Sequence, residues 1–291
     1  MELLGLIQAN TLVFASVAAL FGLVIGSFLN VVIYRMPVML MRNWQRDCEE
    51  LAGKTSGEQT KKEIFNLSTP RSKCPHCGHG ITAAENIPVL SYLLLRGKCS
   101  ACGKPISMRY PAIELLSAFL TGITAWHFGY GPAALTAVAL TWLLIALSFI
   151  DIDHQILPDV MVLPFLWTGL MINMFNVFTS LQSAVIGAVA AYLSLWLVFH
   201  LFKMITGKEG MGYGDFKLFA LFGAWLGWKS LPLIILLSSF VGAAIGISLI
   251  LFQGRDRAQH LPFGPYLAAA GWIALLWGDD IMSRYLQLMR F

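Results

Sequence analysis

The chain has 291 residues, of which 57% are hydrophobic and only 12% are charged, and its mean hydropathy is +0.69. A soluble domain carries about 25% charged residues, so this composition excludes an ordinary soluble protein and favours a helical membrane protein with several spans. The net charge of +4 is too small to indicate binding to nucleic acid, and the alternating segments of about ten residues that mark a transmembrane barrel are absent from the sequence.

Hydropathy predicts eight apolar segments, each close to the 20 or so residues that a spanning helix needs. The first segment lacks the basic start of a signal peptide and is too long for one, so we expect a retained membrane helix. The sixth is the weakest, because it is short and begins with Asp215 and Lys217. The segments cover residues 11–36, 111–128, 131–150, 157–177, 182–205, 214–230, 231–252 and 262–282.

Lysine and arginine predict the orientation of these segments. Eleven of the 20 lie in the long segment 37–110, and with the other basic residues of the same face they total 17. The remaining three are Lys229, Arg284 and Arg290. The positive-inside rule therefore places segment 37–110 in the cytoplasm and both chain termini outside. Arg255 and Arg257, before the last segment, also fall on the cytoplasmic side.

Segment 37–110 is the one predicted extramembrane domain. Its residues 45–66 are charged and helix-prone, and the rest contains two CxxC pairs separated by 21 residues. Each pair can place two thiolates on one metal ion, and the glycine after each pair permits the left-handed backbone that such a knuckle needs. The pattern therefore predicts a structural zinc site with four ligands: Cys74, Cys77, Cys99 and Cys102.

Other interpretations of the cysteines are two disulfides or four free thiols, and a cytoplasmic location argues against disulfides. His76 and His79 are alternative ligands, whereas Cys48 lies outside the pattern. A catalytic zinc is not expected, because four thiolates leave no open coordination position.

Two carboxylates stand at the edges of apolar segments. Asp151 directly follows the third segment, and Asp215 follows Gly212 and Gly214 at the start of the sixth. The orientation places both at the cytoplasmic face of the membrane. Ionisable groups at membrane depth are costly and mark functional sites. Two adjacent carboxylates share a proton, so one can activate water while the other polarises a carbonyl group.

This pattern favours an aspartic protease, with proton or ion coupling in a transporter as the alternative. The residues alone do not choose between Asp151 and Asp153, which point to different sides of a helix. Glu114 and Asp159 follow prolines at helix starts, where an acid stabilises the helix N-terminus. The motifs HExxH, GxSxG and Walker A are absent from the sequence, which removes metalloprotease, serine hydrolase and P-loop classes.

The sequence resembles the type 4 prepilin peptidases over nearly its whole length, and most closely the pilus-biogenesis members of gammaproteobacteria. These are bifunctional leader peptidases and N-methyltransferases of type IV pilus and type II secretion systems. Each motif would be weak alone, but their order is specific. The motifs are GSFLN at 26–30 with Arg35 and Pro37, the CxxC pairs, ENIP at 85–88, RYP at 109–111 with Glu114, DIDH at 151–154, LPD at 157–159, KEGMGYGD at 208–215 and PFGP at 262–265.

The resemblance implies an all-α membrane protein of the GxGD type, in which Asp151 and Asp215 are the catalytic pair. It implies cleavage after the glycine that ends a basic leader, on prepilins and pseudopilins in the bacterial inner membrane. It also implies methylation of the new N-terminus with S-adenosylmethionine. The implied division is a first helix at 1–36, a cytoplasmic zinc-knuckle domain associated with methylation at 37–110, and a peptidase domain at 111–291.

We expect the methyl-transfer region near Glu85, Asn86 and Gly97. The alternative is that these residues form only a structural turn beside the zinc knuckles. Two further alternatives apply to the whole chain. A transporter would show repeats between its halves, which the sequence lacks, and it would leave the zinc segment unexplained. A non-catalytic assembly protein would use the zinc segment as a docking platform.

Overall fold

The computed structural model describes residues 2–53, 65–253 and 262–289, and in these ranges the regular structure is helical. Two isolated bridges, Lys73 with Gly80 and Lys98 with Pro105, are the β-type pairings of the described part. The α-helices are α1 (Glu2–Ala9), α2 (Thr11–Leu51), α3 (Leu90–Leu94), α4 (Arg109–Phe128), α5 (Pro132–His154), α6 (Asp159–Asn173), α7 (Leu181–Thr206), α8 (Tyr213–Leu226), α9 (Leu231–Gln253) and α10 (Gly264–Leu288).

The all-helical class is therefore confirmed, and each predicted apolar segment coincides with one of the helices α2 and α4–α10. Within the described ranges, four helical stretches are long and apolar enough to cross a membrane. They are Thr11–Leu51, Pro132–His154, Leu181–Thr206 and Trp228–Ser248, whereas α6 is apolar but shorter. The protein is thus a membrane protein with at least four candidate spans, and the number eight stays a prediction.

Helix α2 is longer than its predicted segment, which ended at residue 36. It runs through Pro37 for 41 residues, about 60 Å at 1.5 Å per residue, or twice the thickness of a bilayer core. A proline inside a helix removes one backbone hydrogen bond, but the helix-prone residues 45–51 continue the helix beyond it. Residues 54–64 of the charged stretch, and Arg255 and Arg257, lie outside the described ranges.

The chain divides into two compact units, Met1–Tyr130 and Gly131–Phe291. In the first, α2 and α4 pack closely along an antiparallel seam. A Cβ atom on Gly26 would lie 2.7 Å from the Cα atom of Glu114, so the two helix backbones can approach this closely only at glycine. Towards one end of the seam, the Asn30 side chain donates to the Tyr110 carbonyl (3.2 Å). At the other end, the rings of Phe14 and Tyr130 are 5.6 Å apart.

Arg35 connects α2 to the segment that leads into the cysteine pairs. Its side chain is buried, and its guanidinium donates to the carbonyl oxygens of Asn66 (2.8 Å) and Pro70 (2.5 Å). A buried cation requires such partners. This side chain therefore helps to fix the position of the cysteine-bearing segment relative to α2.

In the second unit, α8 is the most enclosed helix and packs against α6, α7 and α10. Apart from Lys217, its residues from Asp215 to Trp225 are buried, as expected for a helix that is apolar on all sides. Its crossing with α7 is a contact of backbones, since a Cβ atom on Gly223 would lie 2.2 Å from the Gly187 carbonyl oxygen. This close crossing limits the ways in which α8, and the acid at its start, can be placed.

Asn173 ends α6 and holds the far end of α8. Its fully buried amide donates to the carbonyl oxygens of Ala224 and Trp225, at 2.9 Å each. Its side-chain oxygen accepts from the backbone of Phe178 (3.0 Å) and Thr179 (3.1 Å). All four hydrogen-bonding positions of the amide are therefore used.

We predict that Asn173→Ala lowers the free energy of unfolding by about 2–4 kcal/mol, because it leaves buried backbone groups without partners. Thermal unfolding in detergent measures the effect. Gln182→Ala, which removes an exposed amide in α7, is the matched control and should leave the melting temperature unchanged. Equal melting temperatures for the two variants would show that the four hydrogen bonds of Asn173 do not stabilise the fold.

Candidate active site and metal centre

Asp151 and Asp215 are both buried in the second unit, with 6% and 7% of their surface exposed. Asp151 lies in the last turn of α5, and Asp215 lies in the first turn of α8. Leu157 packs against both Gly214, which precedes Asp215, and Gly264, whose N–H binds Asp151, so the two acids lie around the same side chain. Asp153, by contrast, is exposed.

Leu157 lies between the two acidic segments. A Cβ atom on Gly214, the residue before Asp215, would lie 2.8 Å from the Leu157 Cβ atom. A Cβ atom on Gly264 would lie 3.3 Å from Leu157 Cδ1. The glycine at 214 is therefore needed for close approach, and Leu157 separates the starts of α8 and α10 as a packed apolar wedge.

Gly212 forms the turn that precedes α8. Its carbonyl accepts from the Asp215 backbone N–H (3.2 Å), and a Cβ atom at this position would lie 3.6 Å from Asp215 Oδ2. A side chain here would thus stand beside the carboxylate. The glycine keeps that side of the acid open.

Gly264 is a residue of this site that the sequence reasoning did not assign. Its backbone N–H, at the start of α10, donates to Asp151 Oδ2 at 3.0 Å in a buried environment. A Cβ atom on Gly264 would lie 2.7 Å from the same oxygen. The available signal was the PFGP sequence at 262–265, whose glycine stands where a backbone must approach another group closely.

An ion pair joins the starts of α6 and α8. Lys217 Nζ contacts the two carboxylate oxygens of Asp159 at 2.6 and 2.7 Å. The helix-start position expected for Asp159 is confirmed, because it is the first residue of α6. The pair is partly exposed, so its energy is modest, but it aligns the helix that carries Asp215.

In the first unit, the four predicted thiols form one cluster. The Sγ atoms of Cys74, Cys77, Cys99 and Cys102 all lie within 4.8 Å of one another, with Cys74 and Cys102 at 4.0 Å. Tetrahedral Zn–S bonds of 2.3 Å require sulfur atoms about 3.8 Å apart, so the cluster fits a metal ion of this kind.

The two cysteine pairs have the same local structure. In each pair, the backbone N–H of the first cysteine donates a hydrogen bond to the carbonyl oxygen five residues later. Cys74 donates to His79 (2.8 Å), and Cys99 donates to Lys104 (2.9 Å). Gly78 and Gly103 adopt φ of 73° and 69°, the left-handed conformation expected for the knuckles. The backbone N–H groups of His76 and Cys77 lower the pKa of the Cys74 thiol to about 6. At Cys77, the backbone N–H of His79 is outweighed by burial and the neighbouring thiols, which raise the pKa of that thiol to about 11, so Cys74 is the more readily ionised of the two.

The disulfide and histidine alternatives for the cysteine site are not supported. All five cysteines are free of disulfides, and Cys48 is exposed outside the cluster. Among the described residues neither His76 nor His79 belongs to the cluster. His79 Nε2 lies instead 3.5 Å from Glu85 Oε1.

Glu85 ties the two knuckles together. Its carboxylate accepts from the backbone and hydroxyl of Thr82, both at 2.8 Å, and from the hydroxyl of Ser100 between the second pair of cysteines. The Ser100 hydroxyl, then the Thr82 donors, lower the pKa of Glu85 to about 2. This geometry favours the structural interpretation of Glu85.

Gly97 and Asn86 occupy different surroundings. Gly97 has φ of 68° and packs on Tyr92, whose hydroxyl oxygen would lie 2.8 Å from a Cβ atom added there. Asn86 lines a cavity of about 350 Å³, which Arg35 and Arg71 also line. Of the three residues expected near methyl transfer, Asn86 is thus the one in the wall of this cavity.

Two known protein families match successive parts of the chain. Residues 20–128 match the bacterial peptidase A24 N-terminal domain, and residues 138–247 match the type IV leader peptidase family. No solved structure matches the chain.

Three relatives are each called prepilin leader peptidase/N-methyltransferase. The protein of Stutzerimonas stutzeri is 55% identical over 98% of both chains, and that of Pseudomonas aeruginosa is 54% identical over 100% of both. The protein of Aeromonas hydrophila is 54% identical over 98% of both. At this identity and coverage, the chain belongs to the type IV leader peptidase family of prepilin leader peptidase/N-methyltransferases.

Proposed function

We propose that this protein is a membrane-embedded aspartic peptidase that removes the basic leader of prepilins and pseudopilins after its terminal glycine, and then methylates the new N-terminus. The single observation that supports the peptidase chemistry best is the burial of Asp151 and Asp215 in one site at the ends of helices. Two buried acids at this position are costly unless they have a function.

The surroundings of the two acids differ, and we use that difference to assign their roles. Asp151 accepts the N–H of Gly264, and such a donor stabilises an ionised carboxylate. We therefore assign Asp151 as the base that takes a proton from the attacking water. Asp215 then holds a proton and donates a hydrogen bond to the scissile carbonyl oxygen. The water oxygen then attacks the carbonyl carbon, the C–N bond breaks, and the proton that Asp151 took from the water passes to the amide nitrogen, which leaves as the new N-terminal amine.

The substrate fits a site at the membrane boundary. A prepilin has a basic leader followed by an apolar helix, so its scissile bond lies where the helix leaves the bilayer. Extended backbone around the glycine exposes the scissile carbonyl, whereas a helical bond has that carbonyl occupied. Gly212 keeps the Asp215 side of the site free of side chains, which favours the approach of such a backbone.

For methylation we propose the zinc-knuckle segment within residues 37–110 as the responsible part, with S-adenosylmethionine as the methyl donor. The cavity beside Asn86 is within the size range of small-molecule sites, and its walls combine apolar side chains with polar and basic ones. Glu85 supports this wall through its hydrogen bonds to Thr82, which lines the cavity, whereas Gly97 packs on Tyr92 outside the wall. We propose zinc as the ion that the four thiols hold. We also propose that the protein lies in the bacterial inner membrane, with this segment on the cytoplasmic side and both chain termini in the periplasm.

Asp151→Asn and Asp215→Asn should each reduce leader cleavage by at least about a thousandfold, because each removes one half of the acid–base pair. Cleavage of a purified prepilin in detergent measures this. Methylation of an already cleaved pilin should stay at the wild-type rate in both variants. Asp153→Asn, two residues away and exposed, is the control and should cleave normally. Normal cleavage by either Asp151→Asn or Asp215→Asn would refute the pair.

Gly264→Ala should lower kcat for cleavage by about 10- to 100-fold with little change in KM. The added methyl group displaces the Asp151 carboxylate, and a shift of about 1 Å can cost a hundredfold in rate. Gly278→Ala is the matched control in the same helix, because its Cβ atom would meet nothing nearer than 3.7 Å. If Gly264→Ala cleaves as fast as Gly278→Ala, Gly264 does not position Asp151.

Purified wild-type protein should contain about one zinc ion per chain, and Cys74→Ser should contain at most about a tenth of that, because three thiolates bind zinc far more weakly than four. Elemental analysis measures the content. Limited proteolysis should show earlier cuts within residues 65–108 of the variant. Cys48→Ser should match the wild type in both assays. Full zinc content in Cys74→Ser would exclude the four-thiolate site.

A further inference from the structure

Helix α3 exposes an apolar face in a segment that the sequence places outside the membrane. Leu90, Leu93 and Leu94 are 50%, 65% and 75% exposed. They stand at positions i, i+3 and i+4 and therefore share one side of the helix. An exposed apolar face of this kind marks a surface that contacts a partner or a membrane.

The opposite side of α3 is packed. The Tyr92 hydroxyl lies 2.9 Å from Met108 Sδ and 3.4 Å from the Ile106 carbonyl, and its ring lies against Gly97. The helix is thus held in place by its inner side. The three leucines are directed away from the unit because the inner side is filled by Tyr92.

A hydrogen bond fixes the position of the start of α3 along the axes of the paired helices α2 and α4. The backbone N–H of Val89, just before α3, donates to Glu114 Oε2 at 2.7 Å. Glu114 packs against Gly26, and the next contact along the seam is Asn30 with Tyr110. Glutamate side chains lean towards the helix N-terminus. The start of α3 therefore lies between the level of Gly26 and the level of Asn30.

That level belongs to the apolar part of α2, whose hydrophobic run extends to Tyr34. The neighbouring surface is apolar as well: Phe28 on α2 and Leu115 on α4 are 49% and 53% exposed. The leucines of α3 are thus at the same depth as exposed side chains of α2, which is a candidate membrane span, and of α4, which the sequence predicts to cross the membrane.

Basic and aromatic residues stand at the border of this face. Arg96 and Lys98 follow α3, Arg109 starts α4, and Tyr110 is half exposed. Arginine and lysine beside an apolar face bind anionic lipid headgroups, and tyrosine is enriched at the membrane–water interface.

We infer that α3 is an interfacial helix whose Leu90, Leu93 and Leu94 lie in the lipid bilayer, so that the zinc-knuckle segment is docked on the membrane surface. A second copy of the chain or a pilin helix would also cover an apolar face. Lipid is favoured because the face is continuous in depth with the exposed sides of α2 and α4 and is bordered by basic residues.

The inference is tested by replacing Leu93 with the photoreactive residue p-benzoylphenylalanine in the full chain. The protein is reconstituted in vesicles of phosphatidylethanolamine and phosphatidylglycerol, irradiated and weighed by intact mass spectrometry. Phe119, exposed on α4, and Lys104, exposed in the second knuckle, are replaced in the same way as references.

The expected result is a chain heavier by one phospholipid, with a yield at position 93 within about twofold of position 119 and about tenfold above position 104. Equal yields at positions 93 and 104 would overturn the inference. So would a product of twice the chain mass, which would assign the face to a second copy. In a parallel sample that also contains prepilin, a crosslink from position 93 to prepilin in place of lipid would assign the face to the substrate and would also overturn the inference.

Discussion

A carboxylate inside an apolar helix bundle is stable only where the backbone can come close enough to surround it, and this constraint organises the second unit. Asp151 and Asp215 are both almost fully buried. The packing around them uses residues without side chains at the points of contact: Gly214 against Leu157, and Gly264 against Asp151 itself. The same device places α8 against α7 at Gly187 and Gly223. The site of the two carboxylates therefore depends on close backbone contact more than on ion pairing.

The first unit solves a different problem, which is to hold a small segment with little apolar core beside a membrane helix. Its fixed points are polar. Arg35 holds two carbonyl groups, Glu85 joins the two knuckles, and Glu114 holds the backbone of Val89 from within α4. The four thiols add a fourth fixed point that a metal ion would close. Small domains with few buried side chains commonly need such a staple.

Much of this could be predicted from the sequence, because the strongest signals are local. Apolar runs of about 20 residues located the helices, and the spacing of Cys74, Cys77, Cys99 and Cys102 located the thiol cluster. The end of α2 was predicted 15 residues too early, since hydropathy detects the membrane boundary and not the end of helix hydrogen bonding. Gly264 was not assigned because its partner, Asp151, is 113 residues away and contacts its backbone. Glu85 was placed by analogy, and its bonds to Thr82 and Ser100 depend on how the knuckles pair in space.

The lengths of α6 and α8 have a consequence for the lipid around the site. With 15 and 14 residues, these helices are about 21–23 Å long, whereas a bilayer core is about 30 Å thick. If both helices cross the membrane as the hydropathy predicts, they cannot fill that thickness, and a bilayer accommodates such mismatch by thinning locally. Helix α8 is enclosed by its neighbours, so the thinning would occur beside α6, the more exposed of the two. It would shorten the path of water to the buried carboxylates and lower the cost of drawing an extended peptide out of the membrane. The lengths of these two helices would then assist hydrolysis through the surrounding lipid, in addition to what the side chains of the site contribute.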